Sequence, residues 1–378
     1  MYHFYKYKLF LSIFFICLSY QGAAQKPFTV LITFPLSTNL SNISVNYDDG
    51  KTLIFKKLIS SNNKVQISGL SFSKYPLLTV VNRISEKQVF VEQYYLQRKS
   101  FIYFYNNNKT GNFLDSAKLI NAMNIKTMGQ NEFDSFAPDE TNRLKSFLLK
   151  NGYDFSQSDS LQTIYILLAN DIRKKKLEFI KTHSNLYYSI WSFYREFTSQ
   201  TDNDADTLLN IYNINFSKRY NNTFEGREIS KILNGRVNTL VNRMAPYFSA
   251  HDIKGNSIRL NNYRGKYVLL NFWASWCKPC ISEMPAIVAI RKKYLKEKIE
   301  IISVSYDDDS SKCINAIAKN KMNWINIVNN QDVINRYGKN PGIPQVYVIN
   351  PKGELIYSRT QAEDYDLTKL TEFLKTKL

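Results

Sequence analysis

Between residues 28 and 105 apolar side chains recur in short runs rich in β-branched and aromatic residues: FTVLITF (28–34), ISVNY (43–47), KVQIS (64–68), LLTVV (77–81), QVFVE (88–92) and FIYFY (101–105). Gly, Asn, Asp, Ser and Lys clusters separate the runs at short intervals, which predicts an antiparallel sheet or sandwich. The Asn-rich stretch NNNKTGN (106–112) ends the pattern. From about 115 to 243 the period lengthens. Leu161, Ile164, Tyr165 and Leu168 fall at helical spacing, as do Ile229, Ile232, Leu233, Val237, Leu240 and Val241, so this middle region is predicted helical. Its aromatic stripe, Trp191, Phe193, Tyr194 and Phe197, is read as helix-on-helix core rather than a groove, because apolar helix faces are usually buried.

Beyond residue 244 strands and helices alternate. A hairpin (246–260) precedes a strand at 267–272, a helix from about Cys277, a strand at 300–305, a helix near 310–319, strands at 345–349 and 355–358, and a last helix at 367–377. The apolar run VLLNF followed by a helix describes a βαβ unit, so an α/β domain with a central sheet flanked by helices is expected. The organisation read from the chain is a signal peptide (1–24), a β-rich domain (25–110), a helical region (111–240) and an α/β domain (241–378).

The export signal rests on Lys6 and Lys8, an apolar run over 9–18, and the small residues Gly22, Ala23 and Ala24, with cleavage expected after Ala24. An apolar run this short falls below the roughly 20 residues of a spanning helix. A periplasmic or cell-envelope location follows, membrane-anchored if the signal is retained. Cys17 falls in the discarded segment. The formal charge of +18 comes from scattered basic residues, which read as a solvated surface and not as a nucleic-acid site. The runs 173–176 and 291–293 are expected to face water.

Of the four cysteines, Cys277, Cys280 and Cys313 remain after export, too few and too odd in number for a disulfide framework. The pair in NFWASWCKPCISEMP (271–285) has three readings. A zinc site wants four Cys or His ligands, and no second C-x-x-C exists, with only His183 and His251 left to help; no metal is expected. A purely structural disulfide closes too short a loop to constrain the chain. A reactive dithiol suits the position, because a strand ending before Cys277 delivers it to a helix start, where free N–H groups and the dipole stabilise a thiolate. Lys278 adds positive charge, Pro279 fits the first turn, and Cys280 is expected to be the more buried, resolving thiol.

These residues, within APYFSAHDIKGNSIRLNNYRGKYVLLNFWASWCKPCISEMPAI and with NPGIPQVYVINPKGELIY downstream, resemble the thioredoxin-like domain of exported thiol-disulfide oxidoreductases of the TlpA/ResA group. The resemblance covers roughly the last 135 residues. It implies a cis Ile343–Pro344 bond against the dithiol, with the Ile343 backbone pairing with an incoming peptide and Pro344 keeping metal from the thiols. It also places Glu283 where ResA-like proteins carry a glutamate three residues after the second cysteine, as acceptor of the Cys280 proton. Ordinary thioredoxins have a buried aspartate where this chain has Asn271. Trp276 is expected to cover part of the active surface, with Lys278 and Pro279 beside it, Trp273 to lie in the core, and Pro285 to kink the helix. Cys313 is read as a buried thiol.

The expected function is reduction of partner-protein disulfides through a mixed disulfide at Cys277 resolved by Cys280, followed by re-reduction by a membrane thiol-disulfide donor. The dithiol is itself the redox group, so no cofactor is required. In some members of the resembled family the substrates are apocytochrome cysteines, which links such proteins to cytochrome c maturation. Two alternatives stay open. A thiol peroxidase would resemble P-x-x-x-[ST]-x-x-C, where this chain offers Leu270 and Ala274. The other is an envelope binding or assembly protein with an accessory dithiol, whose first 240 residues recognise the partner.

Overall fold

The computed structural model describes residues 25–56, 60–85, 89–106, 113–152, 158–198, 204–294, 298–337 and 342–378. The expected export signal, with Cys17, and most of the Asn-rich stretch lie outside these residues.

The N-terminal runs form β1 (Lys26–Thr33), β2 (Ile43–Asp48), β3 (Leu53–Lys56), β4 (Ser60–Ser61), β5 (Lys64–Ser71), β6 (Leu77–Arg83), β7 (Val89–Phe104) and β8 (Ala117–Asn124). They build one eight-stranded sheet in the order β3-β2-β6-β7-β1-β5-β4, with β8 on β7. Strands β3 and β4 fall outside the six expected runs, and three further features differ from expectation. QVFVE and FIYFY are two ends of the single long strand β7, whose register against β8 shifts between Leu96 and Phe101; an irregularity of this kind interrupts the period-2 pattern without ending the strand. The strand pattern does not stop at 106–112, because β8 returns antiparallel along β7. The pairing of β1 with β7 is parallel amid otherwise antiparallel neighbours. Alternate residues such as Phe28, Val30 and Ile32 of β1 and Val65 and Ile67 of β5 are buried in one cluster, the consequence of side chains alternating across a pleated strand.

Helices α1 (Gln130–Phe136), α2 (Pro138–Asn151), α3 (Asp159–Thr182), α4 (Tyr187–Ser192), α5 (Ala205–Asn215), α6 (Ser217–Tyr220) and α7 (Phe224–Asn238) follow. A π turn over Phe193–Phe197 continues α4. The aromatic stripe lies in a core with Phe179, Tyr188, Ile229 and Leu233, where Phe193 and Phe197 are fully buried and Trp191 and Tyr194 partly so. Leu77 and Tyr95 of the sheet belong to the same core. The basic run 173–176 does not simply face water: Lys176 lies 3.1 Å from Glu196 and Arg173 stacks over Phe197. In the second run Arg291 also turns inward, pairing with buried Glu300 at 3.1 Å. Long basic side chains bury their stems where a carboxylate or ring receives the head.

The last third contains β9 (Ser249–His251), β10 (Ser257–Arg259), β11 (Tyr267–Trp273), α8 (Lys278–Lys293), β12 (Ile299–Ser305), α9 (Ser310–Lys319), β13 (Ile325–Val328), α10 (Gln331–Arg336), β14 (Gln345–Ile349), β15 (Leu355–Ser358) and α11 (Thr368–Lys377). Only β13 and α10 were not anticipated. The sheet order is β13-β12-β11-β14-β15. Strands β11, β12 and β13 run parallel, while β14 and β15 are antiparallel additions.

Strands β12 and β14 are buried along their whole length, and β11 is half-exposed only at Tyr267, as expected where both faces of a sheet are covered. Alternation sends Leu269 and Trp273 of β11, Ile299 and Ile301 of β12, and Val346 and Val348 of β14 to the face carrying α8 and α11. Val268, Leu270, Phe272, Tyr337 and Tyr347 pack on the opposite face with the β9–β10 hairpin and α10. The chain between α7 and β9 runs along β15, with Asn242 N donating to Leu355 O at 2.7 Å and Leu355 N to Arg243 O at 2.8 Å.

Candidate active site

The fully buried ends of β11 and β12 determine where the dithiol segment emerges. Tyr306 N donates to Trp273 O at 2.9 Å, so the two parallel strands stay tied to their last residues. The chain then turns, with Cys277 N donating to Ala274 O at 3.2 Å. Cys277 occupies the N-cap of α8 in an extended conformation, and its Sγ accepts the Cys280 N–H at 3.2 Å. A side-chain acceptor at this place satisfies one of the helix's unpaired donors, and the helix dipole favours negative charge there. Pro279 falls in the first turn. Cys277 and Cys280 are joined in a disulfide with Cα atoms 5.3 Å apart.

Cys277 is 5% exposed and Cys280 1%. The order of burial is the expected one, but the first cysteine is less open than a free helix-start thiol, because Cys277 is itself a member of the apolar core with Trp273, Ala274 and Met284. Trp276 beside it is 65% exposed, and Lys278 and Pro279 are also exposed. Trp273 is fully buried. Pro285 lies inside α8.

Ile343–Pro344 is the cis bond. Strand β14 starts one residue later, and its register pairs Gln345 with Phe272, which puts Pro344 at the end of β11 from which the dithiol loop leaves. Ile343 packs against the core cluster that contains both cysteines. The two segments, 64 residues apart in the chain from Cys280, therefore meet because β11 and β14 are hydrogen-bonded neighbours.

Glu283, one turn after Cys280, is 6% exposed, not the solvated helical glutamate that its sequence context alone would allow. It faces Arg359, whose Nη2 donates to its Oε1 at 2.5 Å. Burial pushes the Glu283 carboxyl above its ordinary value, Arg359 opposes this, and Asp364 and Asp366 add to the rise. Asn271 sits on the dithiol face, with Nδ2 donating to Ser303 Oγ at 3.2 Å, and Trp324 Nε1 donates to the same hydroxyl at 2.8 Å. The position that holds a carboxylate in ordinary thioredoxins thus bears a neutral, hydrogen-bonded amide.

Two further groups were not legible in the sequence. One is Arg359. The other is Asp307, 2% exposed, which accepts from Ser275 N at 2.8 Å, Ser275 Oγ at 2.6 Å and Ser305 Oγ at 2.6 Å. It anchors the dithiol loop two residues before Cys277. The acidic triplet 307–309 marks a helix start, and Asp309 indeed caps α9; nothing in the triplet distinguishes the aspartate that turns inward. Cys313 is fully buried and unpaired, its thiol pushed up to about 11 by burial. Leu270 and Ala274, the positions a peroxidase motif would fill with proline and a hydroxyl residue, are completely buried apolar groups. Among the described residues, no group of three or more His, Cys, Asp and Glu side chains is gathered to hold a metal, and no helix is long and apolar enough to cross a membrane.

A βαβ start, a C-x-x-C pair at the following helix and a cis-proline loop on the adjacent antiparallel strand define a thioredoxin-like thiol-disulfide protein. The AhpC/TSA family model matches residues 241–358. Thiol-disulfide oxidoreductase ResA of Bacillus thuringiensis subsp. konkukian (strain 97-27) is 32% identical over 138 residues, covering 35% of this chain and 79% of that protein. ResA of Geobacillus kaustophilus (strain HTA426) is 35% identical over 116 residues, covering 30% and 66%. The solved thioredoxin domain of a thiol-disulfide oxidoreductase from Bacteroides vulgatus is 27% identical, covers 35% of this chain and 97% of that domain, and superposes with a TM-score of 0.32. The chain belongs to the TlpA/ResA-like thiol-disulfide oxidoreductases, through its C-terminal domain.

Proposed function

We propose that the protein works outside the cytoplasm as a reductase of disulfides in partner proteins, with Cys277 and Cys280 as its redox-active pair. The observation that carries this reading is Cys277 at the N-cap of α8, bonded to Cys280 and receiving the Cys280 N–H. In the dithiol form the Cys277 thiolate attacks one sulfur of a substrate disulfide, forming a mixed disulfide and releasing the other substrate sulfur as a thiolate. Cys280 then gives its proton to Glu283 and displaces the substrate from Cys277. The substrate gains two electrons, the Cys277–Cys280 disulfide re-forms, and a membrane dithiol donor restores the reduced pair.

Trp276, Lys278, Pro279, Ile343 and Pro344 form the surface that receives the substrate peptide in this reading. The exposure of the first three and the contact of Ile343 with the dithiol core support it. Export rests on the N-terminal pattern of Lys6, Lys8, the 9–18 apolar run and Ala24. The β-rich (25–110) and helical (111–240) portions precede the catalytic domain (241–378); the return of β8 onto β7 favours moving the first boundary to about 124.

Trapping tests the proposal directly. Cys280→Ser, expressed in the native envelope, should accumulate covalent adducts through Cys277 that dithiothreitol releases. If the variant recovers no disulfide-linked protein under oxidising conditions, the exchange reading fails.

A further inference from the structure

We infer that Arg359 is a positioning residue that holds Glu283 ionised, and therefore able to accept a proton, one helical turn from Cys280. The inference rests on the proposed role of Glu283 and assigns what makes that role workable in a buried corner.

Residues three apart on a helix share a face, so Glu283 lies on the side of α8 that carries Cys280, and both are buried. A carboxylate at this depth with no counter-charge is strongly disfavoured and takes up a proton instead. A protonated Glu283 cannot receive the Cys280 proton. The surroundings other than Arg359 favour that inactive form. Asp364 and Asp366 both act on Glu283 as like charges. Asp364 is itself fixed in place, accepting from Tyr357 Oη at 2.6 Å and from Leu370 N at 2.7 Å.

Arg359 supplies the opposing charge, and its position is built. Its backbone N donates to Val346 O at 2.8 Å, on the strand that begins after Pro344. Its guanidinium is almost entirely buried, lies 5.5 Å from the Tyr365 ring centroid and also donates to Tyr365 O at 3.4 Å. One strand thus carries both the cis-proline loop and the attachment of the counter-ion to the proton acceptor. Arginine remains charged throughout the accessible pH range, so the device is permanent and not a switch.

The test is the pH dependence of single-turnover reduction of a cystine-containing peptide by the full-length dithiol protein, in wild type, Arg359→Met, Arg359→Gln, Arg359→Lys and Glu283→Gln. Arg359→Gln keeps a hydrogen-bond donor and serves if the Met variant does not fold. Both neutral variants should move the acid limb of the profile to higher pH and slow the reaction at pH 7 by about 10²-fold, the lower end of what a positioned proton acceptor contributes. Arg359→Lys should stay close to wild type. If the neutral variants keep the wild-type profile while Glu283→Gln alters it, Arg359 is only a structural tie and the inference is overturned with the Glu283 reading intact. If Glu283→Gln itself leaves the profile unchanged, the Glu283 reading falls and takes this one with it.

Discussion

Removing the carboxylate of Asp307 should release the loop that presents Cys277. Asp307 is buried and accepts three hydrogen bonds, one of them from the backbone N–H of Ser275 and two from the hydroxyls of Ser275 and Ser305, at 2.6 to 2.8 Å. Hydrogen bonds to a charged acceptor contribute about 1.5–3 kcal/mol each. In Asp307→Ala the Ser275 N–H, fixed by the backbone, is left stranded, at about 1–3 kcal/mol. Because the three bonds share one acceptor they do not add fully, and the expected loss is about 3–5 kcal/mol. Asp307→Asn retains one acceptor oxygen and should cost less. Ser275→Ala, which keeps the backbone bond, should cost about 1.5 kcal/mol. The assay is urea unfolding of the oxidised full-length chain followed by tryptophan fluorescence, since three of its four tryptophans, at 273, 276 and 324, lie in the last third. Hydrogen exchange provides the local readout: the Ser275 and Cys277 amides should exchange faster in Asp307→Ala while β14 stays protected. A loss below about 1 kcal/mol, in the range of ordinary surface substitutions, would show that Asp307 does not hold the loop.

The remaining predictions concern Cys313 and Glu283, two further buried titratable groups near the site. With its thiol pushed up to about 11, Cys313 carries only about 10⁻³ thiolate at pH 8; iodoacetamide should label it in urea but not in the native dithiol protein, where Cys277 reacts first. Native labelling at equal rates would contradict its burial. The Glu283 carboxyl is raised in the folded chain by burial, so the folded state binds its proton more tightly than the unfolded state does. Its contribution to stability is therefore complete below the ordinary carboxyl range and is lost as pH rises through the folded value. Glu283→Gln should flatten that decline above the ordinary carboxyl range in the same urea assay. A parallel pH dependence in the variant would show that another group is responsible.

The order of elements beyond residue 244 was readable because each signal is local. Continuous apolar runs, a proline allowed in the first helical turn and a cysteine at a strand-to-helix junction depend on neighbours within a few residues. Those local rules located β11, α8, β12, α9, β14, β15 and α11 and singled out the C-x-x-C pair. They failed where the determining contact was remote. Strand β8 read as the start of the helical region because its residues alternate weakly, and it is a strand only because β7 offers it an edge. The run 173–176 read as solvated because sequence does not reveal the Glu196 and Phe197 that receive two of its cations.

The chain's own order of residues decided that a cysteine would stand at a helix start, with a second sulfur one turn further on and a glutamate on the same side, since backbone geometry alone dictates those spacings. Folding in three dimensions decided what surrounds them. Arg359 reaches Glu283 across 76 positions, Asp307 reaches Ser275 across 32, and Ile343, just before the strand that pairs with β11, packs on the core that holds both cysteines. Counter-charges and anchors of this kind act through space, and their identity is set by which strands pair and which faces close, quantities that no short window of sequence contains.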